Sequence, residues 1–242
     1  MAKTLSIANF KGGVAKTTSA VNIGAYLSLQ GQKVLLVDVD PQYNLSQSLG
    51  IKNPVSSLYN VLRGEAPEIV EIYKGLDVLP GSLELIKAEI ELAGEFRREE
   101  ILSRAIQPIL SRYDWVIFDC PPSLGLLTLN AFVASERIIV PIEAEYLALT
   151  GFTILSEALS KVGMEIDAVF ITKYDARKIL NRNVVEGIKA ALKGKALETV
   201  IRENVALAEA PARALDIFRY SPKSAGAEDY AALTTEIIKK FK

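Results

Sequence analysis

Residues 9–18 read NFKGGVAKTT, and this stretch decides the fold. A short apolar run, TLSIA at 4–8, precedes it, and SAVNIGAYL at 19–27 follows with apolar side chains at helical spacing. A strand, a glycine turn and a helix in this order are typical of a phosphate-binding loop, because the backbone N–H groups and the helix dipole favour an anion at one point. We therefore predict that residues Gly12, Gly13, Val14 and Ala15 surround a phosphate.

Two lysines belong to this loop. Lys16 would place its ammonium on the β- and γ-phosphates, and Thr17 would offer a hydroxyl to Mg²⁺. The strict pattern G-x-x-x-x-G-K-[ST] fails, since Phe10 and Ala15 stand where it requires glycine. The stretch fits the deviant form of the loop, in which a second lysine, Lys11, comes first. A plain glycine turn with incidental lysines is the alternative, and the agreement of strand, loop and helix argues against it.

The composition is that of a nucleotide-binding α/β domain. The 242 residues are 50% hydrophobic and 24% charged, so residues 1–242 can form one domain with a large core. The net charge of -1 names no partner, and histidine is absent, so proton transfer would use carboxylates, lysine, tyrosine or the substrate. One cysteine, no secretory signal and no apolar run of ~20 residues predict a cytoplasmic protein.

Carboxylates follow two apolar runs. Residues 33–38, KVLLVD, end at Asp38 and lead to Asp40, where ordinary turn capping is the alternative to a role at the phosphates. Residues 115–119, WVIFD, end at Asp119, which is the Walker B arrangement for a Mg²⁺ ligand. No histidine exists to activate Cys120, so we interpret it as a small packing residue.

Strands and helices alternate along the whole chain. Strands are expected at about 33–38, 76–81, 115–119, 137–142, 167–172 and 197–201. Helices are expected at about 54–62, 82–94, 97–112, 150–162, 181–193 and 225–240. This alternation predicts a single P-loop domain of the α/β class, with a mostly parallel twisted sheet and helices on both faces.

With these motifs together, the chain resembles the ParA/Soj-type partition ATPases of the ParA/MinD superfamily, which carry the deviant Walker A loop. The matching stretches are KGGVAKTTSAVNIGAYL (11–27), VLLVDVDPQYNLSQSLGI (34–51), VIFDCPPSLGLLTLNA (116–131), EAEYLALTG (143–151), ITKYDARKILNRNVVE (171–186), ENVALAEAP (203–211) and YSPKSAGAEDYAAL (220–233). They run from the first strand to the last helix and therefore cover nearly the whole chain.

The resemblance implies a slow, partner-stimulated ATP hydrolase that uses Mg²⁺ and forms a sandwich homodimer on ATP binding. In such a dimer Lys11 would reach the nucleotide of the partner subunit, and Thr18 would contact the α-phosphate side. Asp40 would help to position the attacking water. Asp38 would lie near the Mg²⁺ shell, and Asp119 would be the Walker B carboxylate. The predicted catalytic residues are Lys11, Lys16 and Asp40, and the predicted metal residues are Thr17, Asp38 and Asp119.

The resemblance also places the adenine near Lys173 and near Arg202 and Asn204. Related chains carry proline at the position of Arg202 and glycine at the position of Ala15. Alanine at a position of positive φ would cost about 1–2 kcal/mol. Because Ala15 opens a helix, we expect a negative φ there.

Such proteins bind DNA non-specifically as ATP dimers, and a ParB-like or adaptor partner triggers hydrolysis. The cycle moves plasmids, chromosomal origins or protein cargo, so nucleoid association and plasmid or chromosome segregation are the expected roles. Residues 173–223 hold eleven bases and six acids, whereas residues 64–100 hold ten acids and four bases. The candidate DNA contacts are Lys189, Lys193, Lys195, Arg213, Arg219 and Lys223. Glu203 and Ala206 stand where Soj-like proteins are often basic, and operator binding is not expected without an N-terminal helix-turn-helix.

Two other functions share this loop. A MinD-like membrane-cycling ATPase needs a C-terminal amphipathic helix, and residues 237–242, IIKKFK, resemble one. That segment continues the last predicted helix, so we interpret it as core packing and do not expect membrane binding. A metabolic or assembly enzyme, such as an iron–sulfur carrier, is disfavoured because one cysteine provides no CxxC pair.

Overall fold

The computed structural model describes residues 2–145, 148–192 and 194–242. The strands are β1 (Lys3–Ile7), β2 (Val34–Asp38), β3 (Val70–Tyr73), β4 (Leu76–Leu79), β5 (Trp115–Asp119), β6 (Arg137–Glu143), β7 (Ala168–Tyr174) and β8 (Ala196–Arg202). The helices are α1 (Lys16–Leu29), α2 (Asn44–Ser48), α3 (Leu58–Leu62), α4 (Leu85–Glu91), α5 (Ile101–Ile106), α6 (Leu126–Val133), α7 (Ala148–Ser160), α8 (Ile179–Ala191), α9 (Val205–Glu209), α10 (Ile217–Tyr220) and α11 (Ala225–Lys240). In the described part of the chain, no helix has the length and apolar character needed to cross a bilayer.

The strands form one sheet in the order β3-β4-β2-β5-β1-β6-β7-β8. Every neighbouring pair is parallel except β3 with β4. β1 therefore lies in the middle, and the loop that follows it opens onto the carboxyl edge, where β2, β5, β6 and β7 also end. The predicted fold class, a mostly parallel α/β sheet with helices on both faces, is confirmed.

Two apolar clusters cover the two faces of the sheet. In β2, Leu35 and Val37 belong to one cluster, while Val34 and Leu36 belong to the other. Successive strand residues point to opposite faces, so a strand that is buried on both faces must be apolar at every position. This explains the unbroken apolar runs in the sequence. Helices α1 and α11 cover one face, and α3 to α8 cover the other.

Several helix boundaries differ from the prediction. The helix expected at 54–62 begins only at Leu58, because Ser57 donates its backbone N–H to the side chain of Asn60 and so forms the first turn there. The region 97–112 is broken into a 3₁₀ turn at 98–100, α5, and a 3₁₀ segment at 107–112. Helices α7 and α8 each begin two residues earlier than expected, whereas α11 has the expected bounds. Strand β3, antiparallel at the edge, was not predicted.

The start of α1 has an unexpected backbone conformation. Ala15 lies in the left-handed region, with φ 68° and ψ 31°, so the expectation of a negative φ is wrong. Gly13 also has a positive φ, 75°. The loop winds tightly before the helix begins, and the first helical bond, from Ser19 N–H to the Ala15 carbonyl, is 2.9 Å. The winding of the loop, and not the helix it leads into, sets the conformation of Ala15.

Replacement of Ala15 by glycine should raise the free energy of unfolding of the nucleotide-free protein by about 1 kcal/mol. Glycine adopts positive φ without the Cβ clash, and this gain exceeds the extra entropy that it loses on folding. Ala232, exposed within α11, provides the matched control, because Ala232→Gly should cost about 1 kcal/mol. Urea denaturation measures both changes, and a loss of stability in Ala15→Gly would contradict the backbone conformation.

Candidate nucleotide-binding site

A cavity of about 740 Å³ opens at the carboxyl edge of the sheet, beside the loop that follows β1. It is lined by Gly12, Gly13, Ala15, Lys16, Thr17, Thr18, Asp40, Gln42, Asn44, Gln47, Ser48, Pro122, Lys173, Pro211 and Ala212. The segments that follow β1, β2 and β5, the end of β7 and the turn after α9 thus meet at one place. This is where parallel α/β sheets bind ligands.

Lys16 is the cation inside this cavity. Its residue is only 7% exposed, and its ammonium donates to the Lys11 carbonyl at 3.2 Å. Burial lowers the pKa of Lys16, while the carboxylates of Asp119 and Asp40 oppose that change. A buried ammonium that makes a single hydrogen bond to a carbonyl can bind an incoming anion.

Two carboxyl groups lie buried beside it. Asp38 and Asp119 are paired across the neighbouring strands β2 and β5. The Oδ2 atom of Asp119 accepts from the Thr17 hydroxyl at 2.7 Å, and the Oδ2 atom of Asp38 accepts from both the backbone N–H and the hydroxyl of Ser46 at 2.8 and 2.6 Å. Burial raises the pKa of Asp38 to about 7, and burial together with the charge of Asp38 raises the pKa of Asp119 well above its usual value.

The Oδ1 atoms of Asp38 and Asp119 indicate a cation-binding site. Both are buried and meet no hydrogen-bond donor in the described part of the chain. The Thr17 hydroxyl and the Oδ1 atom of Asp119 are the oxygen ligands that Mg²⁺ prefers, and a cation would supply the missing charge. Within the described ranges, no group of three or more Asp, Glu, His or Cys side chains is placed to hold a metal alone. The residues therefore fit Mg²⁺ whose shell is completed by water and phosphate oxygens.

Lys11 lies outside the cavity. Its side chain is 45% exposed, and its ammonium donates to Glu143 at 2.9 Å and also to Glu145. Lys173 lies near the same group, with its Nζ atom 3.7 Å from Glu143 Oε1. Burial lowers the pKa of Lys11, but its hydrogen bonds to the two glutamates and their negative charge outweigh burial and raise the pKa overall. The sequence analysis gave Glu143 and Glu145 no role, although their place at the carboxyl end of β6 was the available signal.

The predicted adenine residues separate into two places. Lys173 reaches the loop, with its Nζ atom 4.0 Å from where a Cβ of Gly13 would lie. Arg202 donates instead to Asp229 at 2.7–3.0 Å, and Asn204 caps α9. Arg202 and Asn204 line another cavity, of about 580 Å³.

In the cavity of about 740 Å³, the lining residues from this part of the chain are Pro211 and Ala212, to which the sequence analysis gave no role. Pro211 ends the stretch ENVALAEAP and Ala212 follows it, so a signal was present there. Cys120 is fully buried, and burial followed by the charge of Asp119 raises the pKa of its thiol, as suits a packing residue.

Comparison with known proteins agrees with this geometry. A family model described as an AAA domain matches residues 2–172. The chain is 42% identical to the sporulation initiation inhibitor protein Soj of Bacillus subtilis, over 98% of each chain. It is 40% identical to the chromosome-partitioning ATPase Soj of Treponema pallidum, again over 98% of each, and 40% identical to the chromosome partitioning protein ParA of Caulobacter vibrioides, over 98% and 94%. The chain belongs to the ParA/Soj family of partitioning ATPases.

Solved structures show the same fold. A cobyrinic acid a,c-diamide synthase from Mycobacterium smegmatis, with bound ADP and magnesium, superposes with a TM-score of 0.87 at 34% identity, over 100% of this chain and 96% of that one. The cell division ATPase MinD of Pyrococcus furiosus gives a TM-score of 0.82 at 28% identity, over 99% of each. The resemblance to ParA/Soj proteins is confirmed by the family model and by the Soj and ParA relatives.

Arg219, one of the candidate DNA contacts of this ParA/Soj chain, is exposed but bonds to a buried carboxylate. Its guanidinium lies 2.7 Å from the buried carboxylate of Asp216 and 3.3 Å from the ring centroid of Tyr73. The hydroxyl of Tyr73 donates to the same carboxylate. By contrast, Arg213 and Lys223 are exposed and meet no acidic side chain in the described part of the chain. Arg219 therefore joins β3 to α10, and its contact with DNA stays a prediction.

Lys189 and Lys195, two further members of that set, form ion pairs at the surface. Lys189 pairs with Glu198 at 2.5 Å, and Lys195 pairs with Glu165 at 3.3 Å. Exposed pairs of this kind contribute about 0–1 kcal/mol, so phosphate groups can replace the glutamates. Lys193 lies outside the described residues.

The stability of the nucleotide-free, metal-free protein should fall as pH rises from about 4 to 7. The folded-state pKa of Asp38, about 7, lies above that of an unfolded aspartate, so the folded state keeps a proton that the unfolded chain releases. Its contribution is complete below the unfolded pKa and is lost as pH rises through the folded pKa. Asp38→Asn should flatten this decline, and urea denaturation across the pH series measures it.

Asp77→Asn is the control variant, because that carboxylate lies in β4, where it accepts from the Tyr113 hydroxyl at 2.7 Å. Asp77→Asn should leave unchanged the part of the stability decline that comes from Asp38. A wild-type slope in Asp38→Asn would show that this carboxyl group does not titrate in the stated range.

Proposed function

We propose that this chain is a Mg²⁺-dependent ATPase that forms an ATP-sandwich homodimer, binds DNA non-specifically in that state, and positions plasmid, chromosome or protein cargo with a ParB-like partner. The observation that supports the proposal is that the two lysines of the loop lie in different places. Lys16 is buried in the cavity beside Asp119 and Asp40, whereas Lys11 is half-exposed outside the cavity lining. A lysine so placed can reach a second nucleotide more easily than its own.

Within one protomer, the residues would hold ATP as follows. The loop N–H groups and Lys16 bind the phosphates, and Thr17 and Asp119 hold Mg²⁺. Mg²⁺ held there would supply positive charge against the phosphates of ATP. The adenine would lie toward Lys173, Pro211 and Ala212, which support this end of the cavity as the base site.

Asp40 is placed to orient water. It is 8% exposed, lines the cavity, and accepts a hydrogen bond from the backbone N–H of Gln42 at 2.9 Å. No arginine is among the described residues that line the cavity, and the chain has no histidine. Without an arginine finger or a strong base, turnover should be slow until a partner acts.

Dimer formation would move Lys11 from its own glutamates to the phosphates of the partner subunit. Charge-assisted bonds to phosphate are strong, and exposed ion pairs such as Lys11–Glu143 contribute about 0–1 kcal/mol each. The exchange therefore favours the dimer once ATP is present, and it gives Glu143 and Glu145 the role of holding Lys11 in the monomer.

Alanine substitution should separate the two lysines. Lys16→Ala should lose most of its nucleotide affinity as a monomer, because the charge on the bound phosphates is removed. Lys11→Ala should bind nucleotide nearly as wild type does but fail to dimerise with a non-hydrolysable analogue. Isothermal titration measures the first effect and sedimentation measures the second.

The control is Lys161→Ala, an exposed lysine after α7, which should behave as wild type in both assays. A Lys11→Ala protein that still dimerises would make Lys11 an ordinary loop residue.

The proposed DNA surface is centred on Arg213 and Lys223, with Lys189 and Lys195 as weaker contributors. The first two are exposed and lack an acidic partner among the described residues. A single protomer presents few such charges, so it binds DNA weakly. The dimer doubles the set on one scaffold and raises the effective concentration, which couples nucleotide state to DNA occupancy.

The double change Arg213→Glu/Lys223→Glu should weaken binding of the ATP-bound dimer to all DNA sequences alike. If the wild-type dimer neutralises about six phosphates, log affinity should fall against log salt with a slope of about -5. The variant removes about four contacts from the dimer and should flatten the slope by about 3.6. Fluorescence anisotropy over a salt series measures the slope. Lys161→Glu is the matched control, and a salt-insensitive wild type would remove DNA from the proposal.

A MinD-like membrane cycle receives little support. Ile237 is fully buried, and Ile238 and Phe241 pack against the core. The apolar side of the last helix is therefore occupied by the protein itself, as the interpretation of residues 237–242 as core packing requires.

A further inference from the structure

Helix α4 is apolar on two opposite sides. The inward side consists of Leu85, Ala88 and Leu92, which are buried in the core. The outward side consists of Leu83 in the turn before the helix, Ile86 and Ile90, which are 57%, 51% and 78% exposed. At about 100° per residue the two sets lie on opposite sides of the helix. A helix that is apolar on both sides is covered on both sides when it functions.

The outward side continues onto the neighbouring loop. Val55, 93% exposed, and Leu83 line one cavity of about 490 Å³. We call Val55, Leu83, Ile86 and Ile90 the α4 surface. Single exposed apolar residues are ordinary, whereas a contiguous set marks an interaction site.

Acidic side chains outnumber basic ones around the α4 surface. Glu84, Glu91 and Glu95 are all exposed, against the exposed Lys87 on the same helix and Lys52 at the cavity that Val55 and Leu83 line. The wider segment 64–100 carries ten acids against four bases. Two of those four bases are engaged locally, since Arg97 pairs with Glu100 and Arg98 donates to a backbone carbonyl. An apolar stripe within a negative field is complementary to a segment that is apolar on one side and basic on the other.

The α4 surface is also connected to the nucleotide site. Just before it, the Gly81 N–H donates to the Ser46 hydroxyl at 3.1 Å, and that hydroxyl donates to Asp38. A Cβ on Gly81 would lie 2.9 Å from the Asp38 carbonyl oxygen, so the turn before α4 packs directly against the end of β2. On another side of the helix, Glu89 lies against Gly125, which precedes α6 in the segment after Asp119.

We propose that the α4 surface docks a basic amphipathic segment of a partner protein. The proposal rests on the proposed function, in which a partner protein acts on the ATPase, and it names the surface and the chemistry of that partner. The negative field disfavours two other occupants. Anionic lipid would be repelled, and so would the identical acidic surface of a second copy.

The test measures binding of a labelled peptide of about 18 residues, with leucines at helical spacing and lysines on the opposite side, to the full chain by fluorescence anisotropy. Wild type should bind it in a salt-sensitive manner and should not bind the same peptide with glutamate in place of lysine. Ile86→Ser/Ile90→Ser should weaken binding by about tenfold or more, because apolar contact area is lost. Glu84→Lys/Glu95→Lys should also weaken it and should reduce its salt dependence.

Leu29→Ser, on α1 and exposed to the same 51% as Ile86, is the control and should bind the peptide as wild type does. Equal affinity in wild type and the double isoleucine variant would overturn the proposal. Tighter binding to anionic vesicles through the same isoleucines, or loss of a nucleotide-independent self-association in that variant by sedimentation, would overturn it in favour of lipid or a second copy.

Basal ATP turnover is measured in the same samples and should be unchanged in the isoleucine variant. If wild type hydrolyses no ATP, the proposed function fails, whereas the peptide affinities still report on the α4 surface.

Discussion

Two carboxyl groups, those of Asp38 and Asp119, lie buried side by side at the ends of neighbouring parallel strands, and the arrangement of the site depends on them. Placing two acids together without a countercharge is unfavourable, and burial raises the pKa of both. The chain supplies only partial compensation, through the hydroxyls of Ser46 and Thr17 and the ammonium of Lys16. A site built in this way is completed by a cation and its phosphates. Ligand binding therefore relieves an electrostatic cost that the empty protein carries.

Much of this arrangement was readable in the sequence because its signals are local. A strand buried on both faces must be apolar at every position, so β2 and β5 appeared as unbroken runs ending in aspartate. The glycine loop between a strand and a helix was equally local. The same rules failed where contacts outside the immediate sequence pattern determined the backbone. Pro54 suggested a helix start that Ser57 provides instead, and the helix after Ala15 suggested a negative φ that the winding of the loop forbids.

The functions of surface charges were the hardest to read, because several depend on a partner that is distant in sequence. Arg202 bonds to Asp229, and Arg219 shares the carboxylate of Asp216, three positions before it, with Tyr73. Nothing near Arg202 in the chain identifies Asp229, and nothing near Arg219 identifies Tyr73. Charge totals over a segment therefore predict a field correctly but do not tell which side chains are free. The same holds for the glutamates that bind Lys11, which lie 132 and 134 positions away.

The Lys11–glutamate contact also has a kinetic consequence. In the proposed ATP dimer, two colliding protomers could separate again while Glu143 and Glu145 still hold the Lys11 ammonium. Assembly would then require two exchanges, one in each protomer, and the first would gain little until the second had occurred. Such a reaction would have a lag and a steep dependence on protein concentration. In the proposed partition cycle, that delay would keep a released subunit from rebinding at the place it has just left.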